Sequence, residues 1–560
     1  MSRKPRLIAT AITLPLALVA GLVLASAVVL VLLQQDLGPF RWNGFVGYWQ
    51  QLNDPNWQAF AGKIQASAAV GFGLPLLAWL LLLFKSLQAP DRALHGEAKF
   101  ASKGDLAAKG LLKEHDQGVV IGQIGGQRIR LAGQQFVILA APTRSGKGVG
   151  VVIPNLLDYR DSMVVLDIKQ ENFDLTSGWR KSIGHDVFLF NPFAEDRRTH
   201  RWNPLSYVSS DPAFRVSDLQ SIAAMLYPDG DERNKFWTSQ ARNAFLALSL
   251  YAFARHDRQV ADGVPAAMCK VPTLGRLYRL SSGDGQTDLK AHLQSLSTAD
   301  FLGSEARNAF ATLLSQAPET FASIMGSFKE PLNAWLNPVL DAATSADDFR
   351  LDDVRRKRMT IYVGIQPNKL AESRLIVNLF FSQLINVNTR TLPQNDASLK
   401  HQCLLLMDEF TAIGKVDIIA TAVSYMAGYN LRLLPIIQSL AQLDAVYGKE
   451  MSRTIITNHA LQIVFTPREQ QDAQDYSEML GTTTDKRKTV TRSSSNTVGE
   501  AIERRALMLP QELKAMPNDR EIVFYEGIPN PVMAEKIRYY EDKTYKARLL
   551  PKVDVKPLRI

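Results

Sequence analysis

The chain has 560 residues, 46% of them hydrophobic, and carries 64 Lys and Arg against 55 Asp and Glu, a net charge of +9. That length excludes a single hydrophobic core and makes several packed units the expectation. The basic balance suits contact with nucleic acid or anionic lipid without selecting either, and two cysteines, Cys269 and Cys403, exclude a disulfide-stapled scaffold and place the folded part in the cytosol.

The first element is an apolar hairpin over residues 1–90. No charged residue occurs from Leu7 to Leu33, a run long enough to cross a hydrocarbon layer of about 30 Å with some tilt. Ile64 to Phe84 repeats the pattern between Lys63 and Lys85. Ala25-Ser26-Ala27 resembles a signal-peptide cleavage site, but the apolar run extends to Leu33, longer than a signal core of about 7–15 residues, so an uncleaved span is expected. Arg3, Lys4 and Arg6 precede the first span, and Lys85, Arg92, Lys99 and Lys103 follow the second, which places both ends of the hairpin on the cytoplasmic side of the membrane. Phe40, Trp42, Phe45, Tyr48 and Trp49 between the spans read as interfacial anchors.

Residues 91–210 begin with alternating apolar residues in Val119–Ile124 and Gln127–Leu131, a small β element. The apolar run Phe136–Ala140 then leads into Ala141-Pro142-Thr143-Arg144-Ser145-Gly146-Lys147-Gly148 and a helical stretch, the sequence of a phosphate-cradling loop. In such a loop consecutive backbone N–H groups turn toward phosphate oxygens, the following helix adds the positive end of its dipole, and a lysine reaches the outer phosphates. Thr143, Arg144, Ser145, Gly146, Lys147 and Gly148 are therefore the candidate nucleotide-binding residues, with Lys147 also a catalytic candidate. Two positions depart from G-x-x-x-x-G-K-[ST]: Ala141 replaces the first glycine, and Gly148 replaces the hydroxyl residue that normally holds Mg²⁺.

Strand-like runs recur at Met163–Asp167, Val187–Phe190, Met359–Ile365, Cys403–Asp408, Leu431–Ile437, Leu461–Phe465 and Glu521–Tyr525, separated by helical patterns, which argues a parallel α/β sheet. Residues 211–346 interrupt it with helical periodicity alone, as in Phe236–Ala254 and in Phe310–Leu336 with breaks at Pro318 and Pro331, and read as an all-helical insertion suited to partner recognition. Residues 347–535 resume the sheet. Within them Cys403–Met407 ends in Asp408-Glu409, the place where P-loop enzymes hold Mg²⁺ with the aspartate and offset phosphoryl charge. Asp408 is the candidate metal ligand and Glu409 the candidate for polarising the attacking water. Gln438, closing the next strand, resembles a sensor of the γ-phosphate. Thr482–Thr497, with Asp485-Lys486-Arg487-Lys488, reads as a mobile basic loop, and residues 536–560 as an exposed basic tail. Arg144, Arg432 and Arg468 all remain open as the arginine a ring motor supplies to a neighbouring site. Asp167, Lys169 and Glu171 read equally as the rim of the pocket or as a local ion-pair network.

With these elements placed, the chain resembles the type IV secretion coupling proteins of the conjugative TraG-like group. Beside the two nucleotide motifs, the resemblance rests on His95-Gly96-Glu97-Ala98-Lys99-Phe100-Ala101, Leu166-Asp167-Ile168-Lys169-Gln170-Glu171, Asn203-Pro204-Leu205 and the run from Ala427 to Ser439. It implies a RecA-like P-loop fold, a multi-pass inner-membrane ATPase with two spans using ATP and Mg²⁺, and assembly as a homo-hexamer. It also implies an insertion that recognises substrate, and partners that include DNA bound without sequence preference, relaxase or effector proteins, and subunits of the secretion channel. Members of this branch are similar in having glycine where Gly148 stands. Two rivals remain: a double-stranded DNA pump of the FtsK type, disfavoured by the insertion and the His95 segment, and a docking platform that binds nucleotide without turnover, motivated by Gly148 and disfavoured by Glu409.

Overall fold

The computed structural model describes residues 3–35, 40–87, 96–229, 232–283, 285–491 and 497–560; His95 and Arg92, used above, lie outside them. The chain divides into two units, Met1–Leu94 and His95–Ile560.

In the first unit, helices Arg3–Leu32 and Ala61–Leu87 contain the two expected spans, with apolar stretches Thr13–Leu32 and Pro55–Lys85 of mean hydropathy 2.7 and 2.1. Small residues let the two backbones meet, as expected of helices that pack without a hydrophobic drive between them. A Cβ on Gly71 would lie 2.5 Å from the Ala25 Cα, and one on Gly21 would lie 2.6 Å from Phe72. Ala25 and Ser26, which resembled a cleavage site, thus sit in the contact between the helices, where the Ser26 hydroxyl accepts from the Phe45 N–H at 3.0 Å. Phe45, expected at the interface, is buried, whereas Trp42 and Trp49 stay exposed.

The second unit is built on one sheet of eleven strands. In chain order these are β1 Val119–Ile124, β2 Gln127–Leu131, β3 Val137–Ala140, β4 Ser162–Ile168, β5 Asp186–Phe190, β6 Met359–Ile365, β7 Cys403–Met407, β8 Leu431–Ile437, β9 Leu461–Val464, β12 Arg520–Tyr525 and β13 Val532–Glu535; β10 Thr482–Thr491 and β11 Thr497–Ala506 form a separate ribbon. The spatial order is β2-β1-β13-β12-β9-β3-β8-β7-β4-β6-β5. From β9 to β5 every pairing is parallel. Strands β3, β6, β7 and β8 are buried along their whole length, which is why they read as unbroken apolar runs: helices cover both faces of a parallel sheet. Beyond β9 the sheet turns antiparallel, through β12, β13, β1 and β2. The expected parallel arrangement therefore holds for the central part and is corrected for β12. An antiparallel neighbour needs only a short connection, so strand content alone carries no sign of direction.

Between β5 and β6, the described residues of 211–346 contain helices and no strand. The long helix Lys235–Ala261 buries Ala241, Ala244, Phe245 and every residue from Ala247 to Phe253, so it is enclosed on all sides over its middle turns, and it packs against helices Ser304–Leu314 and Pro318–Leu332. Pro318 opens the second of these rather than breaking one, since proline is tolerated in a first turn. Phe190, Trp202 and Phe380, with ring centroids 5.0 to 5.6 Å apart, join the root of the insertion to the sheet.

Two expectations are corrected. The stretch Thr482–Thr497 is not a loop along its flanks, which pair in register from Thr482↔Ala506 to Thr491↔Thr497; residues 492–496 lie outside the described chain. The β-branched Thr482, Thr483 and Thr484 favour this ribbon, and Thr482 also takes the Ala98 N–H on its carbonyl at 3.1 Å. The segment 536–560 is not an exposed tail: Ile537, Tyr545 and Val555 are buried. The Arg548 guanidinium donates to the Leu157 carbonyl and to Asp158, both at 2.8 Å, and the Leu558 N–H reaches the Arg197 carbonyl at 2.8 Å. The segment crosses so close to helix Glu171–Ser182 that a Cβ on Gly178 would lie 2.0 Å from the Pro551 carbonyl oxygen. It behaves as a strap, anchored at widely spaced side chains and therefore without periodicity.

Candidate functional site

Register brings the predicted residues together. Ala140, the last residue of β3, lies opposite Ile437 of β8, and Met407 of β7 lies opposite Pro435. The chain beyond Ala140, Met407 and Ile437 therefore emerges at one edge, the carboxyl ends of parallel strands, where α/β sheets bind ligands.

After Ala140 the backbone coils back on itself. Arg144 has φ 58° and Gly146 φ 90°, the left-handed turns that point successive N–H groups into a concave nest. At 90° glycine is the residue that fits without strain. The Ser145 hydroxyl donates to the Pro142 carbonyl at 2.6 Å, bracing the coil from within. Gly148–Val152 then form a π-turn leading into helix Ile153–Asp158. Nothing lies within 4 Å of the position a Cβ would take on Gly148, so the missing hydroxyl is not a steric demand of the fold.

The Lys147 ammonium hydrogen-bonds Glu409 and stands 3.3 Å from Asp408 Oδ1. Neighbours in a strand point to opposite faces, yet both carboxylates reach one lysine, because Glu409 takes a left-handed conformation, φ 56° and ψ 48°. Such a backbone in a residue other than glycine costs of order 1 kcal/mol and gathers at functional sites. The other Glu409 oxygen accepts from Gln438 Nε2 at 2.8 Å, and Gln442 Nε2 donates to Gln438 Oε1 at 3.2 Å. Burial pushes the Glu409 carboxyl up, but the hydrogen bonds from Lys147 and Gln438 outweigh it and hold the group below the usual range. Burial dominates at Asp408 and raises it despite Lys147. Asp408 Oδ1 is buried with no hydrogen-bond partner; Lys147 lies within ion-pair range of it but off line. An oxygen of this kind fits a cation ligand. Among the described residues no three His, Cys, Asp or Glu side chains cluster to hold a metal by themselves, so an ion here would need phosphate oxygens and water as its other ligands.

The remaining candidates separate. Asp167 caps helix Glu171–Ser182, accepting from the Phe173 and Asn172 N–H groups at 2.8 and 3.3 Å, while burial pushes its carboxyl up to about 7. No ion pair joins it to Lys169 or Glu171 among the described residues. Arg432 is completely buried and donates to the carbonyls of Gln135, Gln117 and Leu131 at 2.7, 2.9 and 3.0 Å, so it cannot serve a neighbouring subunit. Arg468 stands 3.4 Å from the Thr143 hydroxyl of its own loop, and Arg144 is exposed.

One pair escaped the sequence reading. Lys536, just past β13, donates to the Ser145 carbonyl at 3.2 Å and lies 3.7 Å above the Phe465 ring. Burial pulls its ammonium down to about 8. Nearby Glu521 is fully buried, neither of its oxygens has a hydrogen-bond partner, and burial pushes its carboxyl well above the usual range. Nothing in the local pattern marked either, since Glu521 follows Arg520 and Lys536 follows Glu535, charged neighbours of the kind common at strand ends. A carboxyl whose folded pKa exceeds its unfolded value favours the fold fully below about pH 4.5 and loses that contribution as pH rises toward the folded value. Glu521→Gln is therefore expected to match the parent in thermal unfolding at pH 4.5 and to exceed it at pH 8, by several degrees. Equal midpoints at pH 8 would contradict the burial argument.

The family model for conjugative DNA transfer in type IV secretory systems matches residues 97–558. The chain belongs to that family. VirD4 of Agrobacterium fabrum is 31% identical over 484 residues, covering 84% of this chain and 68% of VirD4. The conjugal transfer protein TraG of Escherichia coli is 27% identical over 515 residues, covering 81% of this chain and 78% of TraG. The solved plasmid coupling protein TrwB, in complex with the ATP analogue ADPNP, superposes with a TM-score of 0.56 at 17% identity, covering 81% of this chain and 96% of TrwB; at that identity the likeness is one of fold. Membership of this family selects the coupling-protein reading over the FtsK-type pump.

Proposed function

We propose that the chain is the membrane-anchored coupling ATPase of a type IV secretion or conjugation system, recruiting relaxase-bound DNA or an effector protein and driving it into the secretion channel. The observation that carries this reading is Lys147 meeting both Asp408 and Glu409 past the carboxyl ends of β3 and β7, the two strands that flank β8. The N–H groups of Thr143 to Gly148 cradle the phosphates, and Lys147 reaches the outer ones. Mg²⁺ held by Asp408, directly or through water, would supply charge neutralisation at the transferring phosphoryl group. Glu409, kept ionised by its hydrogen bonds, orients and deprotonates the attacking water, and Gln438 holds Glu409 in place and senses the γ-phosphate. Phosphate competes with Glu409 for Lys147, so binding of ATP frees the carboxylate that the reaction needs. In a homo-hexamer on the cytoplasmic face of the inner membrane, an arginine from the adjacent subunit would complete the site, and changes between subunits would move loops against the substrate.

Purified full-length protein in detergent is expected to hydrolyse ATP and to be stimulated by DNA; no turnover at any protein concentration, with or without DNA, would return the docking-platform reading. Deleting residues 211–346 is expected to abolish capture of the transported protein and leave nucleotide affinity unchanged. Capture that survives the deletion would remove the insertion from substrate recognition.

A further inference from the structure

Within the helical insertion, a cavity of about 330 Å³ opens between helix Lys235–Ala261 and the short helix Leu274–Leu280. Its rim carries Arg255, Lys270, Arg276 and Arg279, and its wall is apolar, formed by Tyr251, Ala252, Pro272 and Leu280. Among the described residues one of these cations is neutralised by a carboxylate: Arg279 pairs with Asp341 at 2.7 Å. Arg276 is held by a backbone carbonyl, that of Val271, at 2.5 Å, and burial together with the neighbouring Arg279 and Arg255 pulls it below its usual range. Among the described residues no carboxylate pairs with Arg255, Lys270 or Arg276. Elsewhere on the same helix Arg258 is matched by Asp262 at 3.0 Å and Arg242 by Asp229 at 2.9 Å. Like charges gathered with more cations than carboxylates repel one another, and a ligand that supplies negative charge relieves that cost.

We propose that this cavity binds an acidic peptide segment of a transported protein, with one or two carboxylates on the rim cations and an apolar side chain against the Tyr251 wall. The proposal rests on the reading of the insertion as the part that recognises substrate. The volume suits a residue or two of peptide, and arginine pairs well with planar carboxylates. Single-stranded nucleic acid is a poorer fit. It is bound along grooves with exposed aromatic rings on which bases stack, whereas Tyr251, the phenol ring lining this cavity, is buried.

The test is fluorescence anisotropy on the full-length protein with a labelled hexapeptide alternating glutamate and leucine. A hexapeptide alternating lysine and leucine and a ten-nucleotide oligothymidylate serve as comparators. The acidic peptide is expected to bind more tightly than the basic one. The double variant Arg255→Glu, Lys270→Glu is expected to weaken it at least tenfold with an unchanged unfolding temperature, while Arg255→Lys, Lys270→Arg retains it. No binding of the acidic peptide, equal affinity in the charge-reversed variant, or competition by the oligothymidylate with the same loss on charge reversal would overturn the proposal. If capture of the transported protein disappears on deleting residues 211–346 but survives the charge reversal, the cavity assignment fails while the insertion keeps its role. Capture that persists after the deletion overturns the role of the insertion instead.

Discussion

Replacing Glu409 by glutamine is expected to lower ATP turnover by about 10²–10⁴-fold, the usual worth of a positioned general base, while nucleotide affinity is retained or improved. Glutamine keeps the length of the side chain and can still meet Gln438, but it cannot take a proton and holds no charge against Lys147. In the parent, Lys147 is engaged by Glu409 and lies beside Asp408, so phosphate must displace it from a carboxylate. In Glu409→Gln that competition is weaker, and the lysine is available from the start. Lys147→Ala should fail in the opposite order, losing affinity for nucleotide first, because the charge that reaches the outer phosphates is gone. Phosphate release and equilibrium binding of a fluorescent ATP analogue, measured on both variants, separate the two losses. Turnover in Glu409→Gln within threefold of the parent would remove Glu409 from the chemistry.

The second large effect belongs to Arg432, and it is one of stability. Arg432→Leu removes a guanidinium that satisfies three backbone carbonyls in the space between β8, β2 and the approach to β3, and takes that donor from the buried Leu131 carbonyl and from the partly buried carbonyls of Gln135 and Gln117. Losses of this kind come to about 3–5 kcal/mol, roughly a 3–5 °C fall in the midpoint of thermal unfolding for a unit of this length. Arg432→Lys is expected to rescue little, because one ammonium cannot reproduce a planar fork that reaches three oxygens in different directions. The protein that does fold should hydrolyse ATP at the parental rate per molecule. An arginine acting on a neighbouring site would give the reverse, with normal unfolding and turnover restored by mixing with intact subunits; that outcome would sink the structural assignment.

Arg432 also shows where sequence reasoning ran out. Arg432 lies inside the strand-like run Leu431–Ile437, which the structure reproduces as β8, but the carbonyls that receive Arg432 come from residues some three hundred positions earlier, and acceptors on a main chain leave no trace in side-chain identity. The parallel core was legible because burial on two faces forces unbroken apolar runs, as in Cys403–Met407 and Leu431–Ile437. The loop around Lys147 was legible because glycine is demanded where φ is positive, at Gly146. Lys536 and Glu521 were not, since each earns its meaning from a partner across the sheet. The ribbon around Thr482 was hidden by polarity: its strands lack the apolar alternation that a half-buried strand displays, and ladder hydrogen bonds replace it. The segment after β13 was misjudged for a related reason, because three isolated anchors, Ile537, Tyr545 and Val555, make a buried path without making a pattern.

That strap sets the order in which the protein can become competent. Lys536 braces the phosphate loop at Ser145 from 391 positions downstream, so a ribosome delivers the apolar hairpin, the loop and the whole insertion before it delivers the residue that steadies the loop. A nascent chain whose apolar hairpin is already made therefore lacks a finished phosphate cradle until synthesis has passed the last strand of the sheet.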